Sequence, residues 1–150
     1  MGVRTFAAVM ALALVIAFAG ESRAANIFEK NFWLSGPRYD AVVPLCEDGA
    51  VMSKIQDRFS TKESRFWNSA LQIVGFESVR EISFRPGHYA TIPRRFCQGR
   101  VLINDGTRRP IYYGIGEDTG IIGVTWGVEW CVVGLDRNWA YNPACKGARP

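Results

Sequence analysis

The segment over residues 123–137, GVTWGVEWCVVGLDR, carries the strongest strand signal in the chain, because apolar residues alternate along it. Successive side chains of a β-strand point to opposite faces of a sheet. One face of this strand would carry Trp126, Val128, Trp130 and Val132. The other face would carry Thr125, Gly127, Glu129, Cys131 and Val133. The segment therefore predicts a central strand with one face in the core, and the identity of that face determines the role of Glu129.

The amino-terminal residues predict a secretory signal peptide. Arg4 provides a basic start and is followed by an apolar run over residues 6–18. Ser22 and Ala24 have the small-x-small spacing of a cleavage site, so we expect the cut after Ala24. The apolar run is shorter than the roughly 20 residues that span a bilayer, which disfavours the alternative of an uncleaved membrane anchor.

The remainder has the composition of a folded protein. The full chain is 48% hydrophobic, 13% aromatic and 21% charged, as in globular domains. Residues 25–150 are enough for one domain with its own core and too few for two. We therefore divide the chain into a signal peptide over 1–24, an irregular lead-in over 25–45 and a single domain over 46–150.

One amphipathic helix is predicted over residues 48–69. Its apolar stripe has helical spacing and consists of Val51, Ile55, Phe59, Phe66 and Ala70. The other faces carry charged residues, namely Lys54, Asp57, Arg58, Lys62 and Glu63. Ser60 and Glu63 have the spacing of a capping box, which would start a new helix at that point. The stripe continues through Ser60, however, and favours one uninterrupted helix.

Four strands are predicted after the helix. They cover residues 71–84 with a bend near Gly75, 91–105, 110–115 and the segment over 123–137. Asp105-Gly106 predicts a hairpin turn between the second and third strands. This order predicts an α+β fold in which one helix packs on a curved four-stranded antiparallel sheet. The order resembles the cystatin-like and NTF2-like architectures, which host binding proteins and enzymes alike.

Four cysteines lie in the predicted domain: Cys46, Cys97, Cys131 and Cys145. An even number in an exported chain predicts two disulfides. A zinc site is disfavoured because there is no CxxC motif and the only histidine is His88. Of the three pairings, Cys46–Cys97 joins the helix start to the beginning of the second strand. Cys131–Cys145 would then close the carboxyl-terminal tail onto the fourth strand.

Two short segments resemble those of small exported bacterial proteins of unassigned function. They are IPRRFC over residues 92–97 and WGVEWCVVGLDR over 126–137. The resemblance implies a periplasmic or secreted location in a Gram-negative bacterium. It implies no activity and no site residues.

Charge and aromatic residues indicate where a partner would bind. Seven arginines and only two acids lie within residues 80–109. They predict either a solvated strand face or a patch for an anionic surface.

If the tryptophan face of the fourth strand meets the helix, Glu129 lies on the open face and pairs with Arg94, Arg95 or Arg100. If the sheet curves the other way, Glu129 enters a pocket and becomes a candidate general base. Trp126, Trp130 and Trp139 form a second candidate site, an exposed aromatic platform.

These observations leave three functional hypotheses. The first is an exported binding module whose sheet face binds a protein partner, a second copy or an anionic surface. The second is an NTF2-like pocket protein, an enzyme or ligand carrier that uses Glu129. The third is an inhibitor of an envelope or host hydrolase. The candidate ligand-binding residues are Glu129, Trp126, Trp130, Arg94 and Arg95. No catalytic motif, cofactor site or metal site is predicted, and export argues against a nucleic-acid partner.

Overall fold

A computed structural model describes residues 39–87, 92–123 and 125–150. The predicted signal peptide, most of the lead-in and His88 lie outside these residues. The described part contains one long helix followed by four strands, which confirms the predicted α+β fold.

The helix, α1, spans Gly49–Trp67. Asp48 caps its start, since the carboxylate accepts a hydrogen bond from the Ala50 backbone N–H at 2.8 Å. Asn68 ends the helix in the left-handed conformation, with a φ of 46°. The predicted bounds, 48–69, differ by one residue at the start and two at the end. The helix is continuous through Ser60, as the apolar stripe predicted.

The buried stripe of α1 differs from the predicted one in its last turns. Val51, Ile55, Phe59 and Glu63 are buried, whereas Phe66 is 72% exposed. These buried positions are four apart, so the contact line winds slowly around the helix and next reaches the half-buried Trp67 instead of Phe66. Glu63 can enter the core because Arg137 supplies an opposite charge. The placement of Phe66 and Glu63 in the sequence analysis was therefore wrong, and so was that of Ala70, which is exposed beyond the end of the helix.

The four strands are β1 (Ile73–Arg85), β2 (Arg94–Ile103), β3 (Arg108–Gly116) and β4 (Gly127–Val132). They form one antiparallel sheet in chain order, so β1 and β4 are its edge strands. The prediction that the segment over 123–137 is a central strand was therefore wrong. The pairing of β1 with β2 is shifted at three places, and one of them lies between Ile73 and Gly75, where a bend was predicted. The turn between β2 and β3 contains Gly106 with a φ of 84°, a conformation that suits glycine.

Strand β4 is shorter than the segment over 123–137 that predicted it. Gly123 belongs instead to a short 3-10 helix, Ile121–Gly123. A hydrogen-bonded loop joins β3 to β4. Thr119 holds this loop, because its hydroxyl accepts a hydrogen bond from the Gly127 N–H at 3.0 Å and donates one to the Gly116 carbonyl at 2.9 Å. A turn bond from the Leu135 N–H to the Val132 carbonyl, at 3.0 Å, ends the strand.

Helix α1 packs on the face of the sheet that carries the tryptophans of β4. The buried strand residues on that face include Cys97, Val101, Ile103, Ile111, Tyr113, Ile115, Val128 and Val132. Trp126 and Trp130 are half-buried beside them, and the Trp130 ring lies 5.6 Å from that of Phe59. The opposite face of β4, which carries Glu129, therefore points away from the helix.

Both predicted disulfides are present. Cys46–Cys97 links the residues before α1 to β2, with 5.8 Å between the two Cα atoms. Cys131–Cys145 links β4 to the tail, with 5.7 Å between the Cα atoms. The tail ends in a short 3-10 helix, Lys146–Ala148, whose Ala148 is buried beside this second disulfide. Among the described residues, no helix is both long and apolar enough to cross a membrane.

Candidate functional site

The candidate site is the face of the sheet opposite α1, which we call the arginine face. In β2 the buried Cys97 and Val101 point toward the helix, so Arg94, Phe96, Gln98 and Arg100 point away from it. Directly paired residues of antiparallel strands share a face. The register of β1 with β2 therefore places three residues of β1 on the same face: Arg85 opposite Arg94, Arg80 opposite Gln98, and Glu77 opposite Arg100.

Strands β3 and β4 complete this face. Tyr112 lies opposite both Gln98 and Cys131, and Gly114 lies opposite both Phe96 and Glu129. Arg108 joins the face because its Nε is 3.2 Å from an Oε1 of Glu77. Arg149 reaches the same face from the tail. The arginine face thus consists of Arg80, Arg85, Arg94, Arg100, Arg108 and Arg149, with Phe96, Gln98, Tyr112, Glu77 and Glu129.

Two aromatic rings support guanidinium groups on the arginine face. The Arg149 guanidinium carbon lies 4.0 Å from the centroid of the Tyr112 ring. That of Arg85 lies 5.4 Å from the centroid of the Phe96 ring. A guanidinium over an aromatic face is attracted by the ring quadrupole, and this contact restricts the rotamers of a long side chain. Phe96 itself lies close over Gly114, where an added Cβ would be 3.7 Å from the ring.

The two acids of the arginine face are each held by an arginine. Glu129 Oε2 lies 3.6 Å from Arg94 Nη1, and 62% of the Glu129 side chain is exposed. Glu77 pairs with Arg108 as described. The Arg80 guanidinium lies against the side-chain amide of Gln98. Exposed ion pairs of this kind contribute about 0–1 kcal/mol to stability, so they position side chains more than they hold the fold together.

The carboxyl-terminal tail covers the β4 side of the arginine face. The Cys131–Cys145 disulfide brings it there, and Tyr141 and Ala148 pack against the bridge. Burial raises the pKa of the Tyr141 phenol, and the negative charges of Glu129 and Asp136 raise it further. Tyr141 therefore stays a neutral hydroxyl beside the Arg94–Glu129 pair.

The structure divides the five predicted ligand-binding residues between the two faces of the sheet. It brings Glu129 and Arg94 together on the arginine face. Trp126 and Trp130 lie on the helix face, under the ammonium groups of Lys54 and Lys62 at 4.3 Å and 5.2 Å from the ring centroids. These two rings are half-buried there, whereas Trp139 is 70% exposed in the turn after β4.

Arg95 also lies on the helix face. It pairs with Glu81, lies 4.5 Å from the Phe84 ring centroid and donates to the Val43 carbonyl at 3.4 Å. These contacts tie the chain before α1 to the sheet. Arg95 and the two tryptophans therefore cannot join Glu129 and Arg94 in one site on the arginine face.

Several residues of the arginine face were not singled out from the sequence. Phe96, Gln98 and Tyr112 could have been found from the alternation within β2 and β3, once the face of the helix was known. Arg149 had no local signal, because it reaches Tyr112 only through the fold of the tail.

The arrangement can bind anions by charge and by guanidinium hydrogen bonds. Six arginines face two carboxylates on one side of the sheet. Within the ranges that the structure covers, no group of three or more His, Cys, Asp or Glu side chains could hold a metal ion. Comparison with protein-family models, curated proteins and solved structures finds no match to this chain.

Proposed function

We propose that this protein is an exported binding module, stabilised by two disulfides, whose arginine face binds an anionic partner. The observation that carries the proposal is the collection of six arginines on one sheet face, where two carboxylates of the described residues oppose them. A surface with an excess of one charge attracts partners of the opposite charge and accelerates their association. The guanidinium groups add directional hydrogen bonds to carboxylate, sulfate or phosphate oxygens.

The position of Glu129 favours this binding role over a pocket protein. A general base in a pocket requires a partly buried carboxylate in a region of low dielectric. Glu129 is largely exposed, lies on the face away from α1 and pairs with Arg94. In this position the carboxylate orients an arginine of the binding surface.

Export to the periplasm or beyond is the second part of the proposal. The two disulfides support it, because such bonds persist in oxidising compartments and are rare in reducing ones. The apolar amino terminus with its small-x-small site supports it as well.

A titration with sucrose octasulfate, a compact polyanion, tests the binding role. In about 0.15 M salt, ¹H–¹⁵N spectra should show changes at Arg94, Phe96, Gln98 and Tyr112. Arg94→Gln combined with Arg100→Gln should abolish these changes, and Arg65→Gln, on the exposed surface of α1, should leave them intact. Changes confined to α1, or changes that survive in the double variant, would contradict the proposed surface.

A further inference from the structure

The arginine face is long in the direction of the strands. Arg94 and Arg100 are six residues apart on β2, which corresponds to about 20 Å along an extended strand. Arg80 and Arg85 lie beside them on β1, and Arg149 lies over β3. The cations extend from β1 to β3, and three strands at about 4.8 Å spacing place them across roughly 10 Å in the other direction. A single small anion cannot contact charges this far apart, whereas a chain with several anionic groups can.

The centre of the face combines neutral polar groups with two arginines, since Arg80 lies opposite Gln98 and Arg149 stacks on Tyr112. Gln98 lies opposite Tyr112 in the register, between the row of Arg85 and Arg94 and the row of Arg100. The side-chain amide and the phenol supply neutral donors and acceptors, which suit hydroxyl groups. Next to them, Gly114 has no side chain and leaves room for the Phe96 ring over that part of β3. The face therefore places neutral hydrogen-bonding groups among its arginines.

Every cation that we place on this face is an arginine, although the chain also uses lysine, for example at Lys54 and Lys62 of α1. An arginine stacked on a ring still presents the edge of its planar guanidinium, which binds two oxygens of one anionic group. Arg85 on Phe96 and Arg149 on Tyr112 are held in this manner. Carboxylate and sulfate groups have the matching planar or forked arrangement of oxygens.

The two aromatic rings at the centre of the face, Phe96 and Tyr112, lie under guanidinium groups, so the face has no open apolar core of the kind that protein–protein interfaces bury. Such interfaces have a buried apolar or aromatic core inside a polar rim. Among the described residues, the exposed large apolar side chains are Val42, Leu45, Phe66, Val74, Ile82, Ile121 and Trp139. Val74 and Ile82 lie in β1, at two of its shifted pairings with β2, and none of the seven lies in β2, β3 or β4. Insertion into a lipid surface also requires exposed apolar side chains on the docking face. Both partners are therefore disfavoured relative to a hydrated polymer.

We propose that the partner is a linear acidic polysaccharide, bound along the strand direction of the arginine face. This inference rests on the proposed function and specifies its partner. Carboxylate or sulfate groups of successive sugars contact the Arg85–Arg94 row and the Arg100 row. Sugar hydroxyls between them contact Gln98 and Tyr112.

Heparin oligosaccharides of increasing length, measured by titration calorimetry with the disulfide-intact protein, test this inference. We expect affinity to rise with the length of the oligosaccharide until it spans the distance of about 20 Å between the Arg85–Arg94 row and the Arg100 row. Arg94→Gln with Arg100→Gln should weaken binding about tenfold or more, because charge-assisted hydrogen bonds are lost. Gln98→Leu should weaken it severalfold with the charge unchanged. Arg65→Gln is the matched control, and near-ultraviolet circular dichroism verifies that each variant is folded.

Two further probes distinguish a polysaccharide from other anionic partners. They are polyphosphate of matched charge and vesicles containing phosphatidylglycerol. Polyphosphate has no hydroxyl groups, so it should bind more weakly and be insensitive to Gln98→Leu. If polyphosphate or the vesicles bind through the arginine face as tightly as the oligosaccharides, the polysaccharide assignment is wrong and the anionic binding role stands. If the double arginine variant binds every probe as well as the original protein, the proposed function fails too.

Discussion

Lys54 lies over the ring of Trp126 and donates a hydrogen bond to the carbonyl oxygen of the same residue, at 3.2 Å. One turn further along α1, Arg58 donates to the Val128 carbonyl at 3.1 Å. Burial lowers the pKa of Lys54, and the charge of Arg58 lowers it further. The helix thus places two cations against backbone carbonyls at the outer edge of the sheet. Edge strands pair readily with other chains, and charged side chains are a common protection.

Removing both cations should expose the β4 edge. We expect Lys54→Gln combined with Arg58→Gln to self-associate as concentration increases, measured by sedimentation velocity. The same variant should lose about 1–3 kcal/mol of unfolding free energy with its two hydrogen bonds. Arg65→Gln removes a cation from the same helix, away from these carbonyls. This control variant should therefore have the same oligomeric state as the original protein. Equal sedimentation of both variants would show that the cations do not protect the edge.

The buried Glu63 depends on Arg137. Glu63 Oε2 lies 2.9 Å from Arg137 Nη2, and only 1% of the Glu63 side chain is exposed. Arg137→Met would leave a buried charge without its partner, at a cost of about 3–5 kcal/mol, measured by urea unfolding. Adding Glu63→Leu to that variant should recover much of the loss, because the unpaired charge is removed. A double variant as unstable as Arg137→Met would argue that Arg137 acts through packing alone.

The two disulfides should contribute unequally to stability. In the chain-entropy account, Cys46–Cys97 closes a loop with a separation of 51 residues and Cys131–Cys145 one of 14. Replacing each pair by serine should cost about 4 and about 3 kcal/mol respectively, measured by urea unfolding. Loss of Cys131–Cys145 should also release Arg149 from Tyr112 and weaken polyanion binding. Loss of Cys46–Cys97 should not affect binding while the protein is folded.

Tyr113 should make stability fall at high pH. Its side chain is fully buried and donates to the Cys46 carbonyl at 2.8 Å. Burial raises the pKa of the phenol, and the charge of Glu47 raises it further. The unfolded phenol loses its proton near pH 10 while the folded one keeps it, so this stability is complete below about pH 10 and declines above it.

Tyr113→Phe tests this dependence. It should cost about 1 kcal/mol at neutral pH, because the Cys46 carbonyl loses its donor. Above pH 10 the variant should lose stability less steeply than the original protein, measured by urea unfolding at several pH values. Tyr141→Phe is a useful comparison, since the pKa of Tyr141 is also raised but its phenol is only partly buried. Identical slopes for Tyr113→Phe and the original protein would contradict the assignment.

Secretion should remove the amino terminus. In a Gram-negative host, the full chain should appear in the periplasm with Ala25 as its first residue, measured by intact-mass spectrometry. Ala24→Asp places a charge in the small-residue site and should block cleavage. Asn26→Asp, which adds the same charge just beyond the site, is the control that should still be processed. A mature protein that retains residues 1–24 would show that the segment remains as an anchor.

Much of the local structure followed from the sequence pattern. The spacing of Val51, Ile55 and Phe59 predicted α1, and the strand predicted over residues 110–115 lies within β3. The pattern failed at the last turns of α1. Glu63 is buried there because Arg137 pairs with its carboxylate. Phe66 is exposed because its side of the helix faces solvent. Hydrophobic periodicity contains no information about a charge partner 74 positions away.

The candidate site was predictable only in part. The cluster of arginines over residues 80–109 was visible, and Arg94 was named as a partner of Glu129. The sequence could not separate Arg94 from Arg95, because adjacent strand residues point to opposite faces and either face could have met the helix. Once α1 covered the tryptophan side of β4, Arg94 joined the arginine face and Arg95 the helix side.

The sequence by itself determined the helix and the order of the strands, since these depend on residue periodicity. It favoured one of the three cysteine pairings, and the fold established that pairing. The tertiary structure alone decided which side of the segment over 123–137 is buried. That choice places Glu129 in solvent beside Arg94 and assembles the arginine face from the strands and the tail. The contacts responsible join residues far apart in the chain, such as Tyr112 and Arg149, and they exist only after the helix and the tail have packed on the sheet.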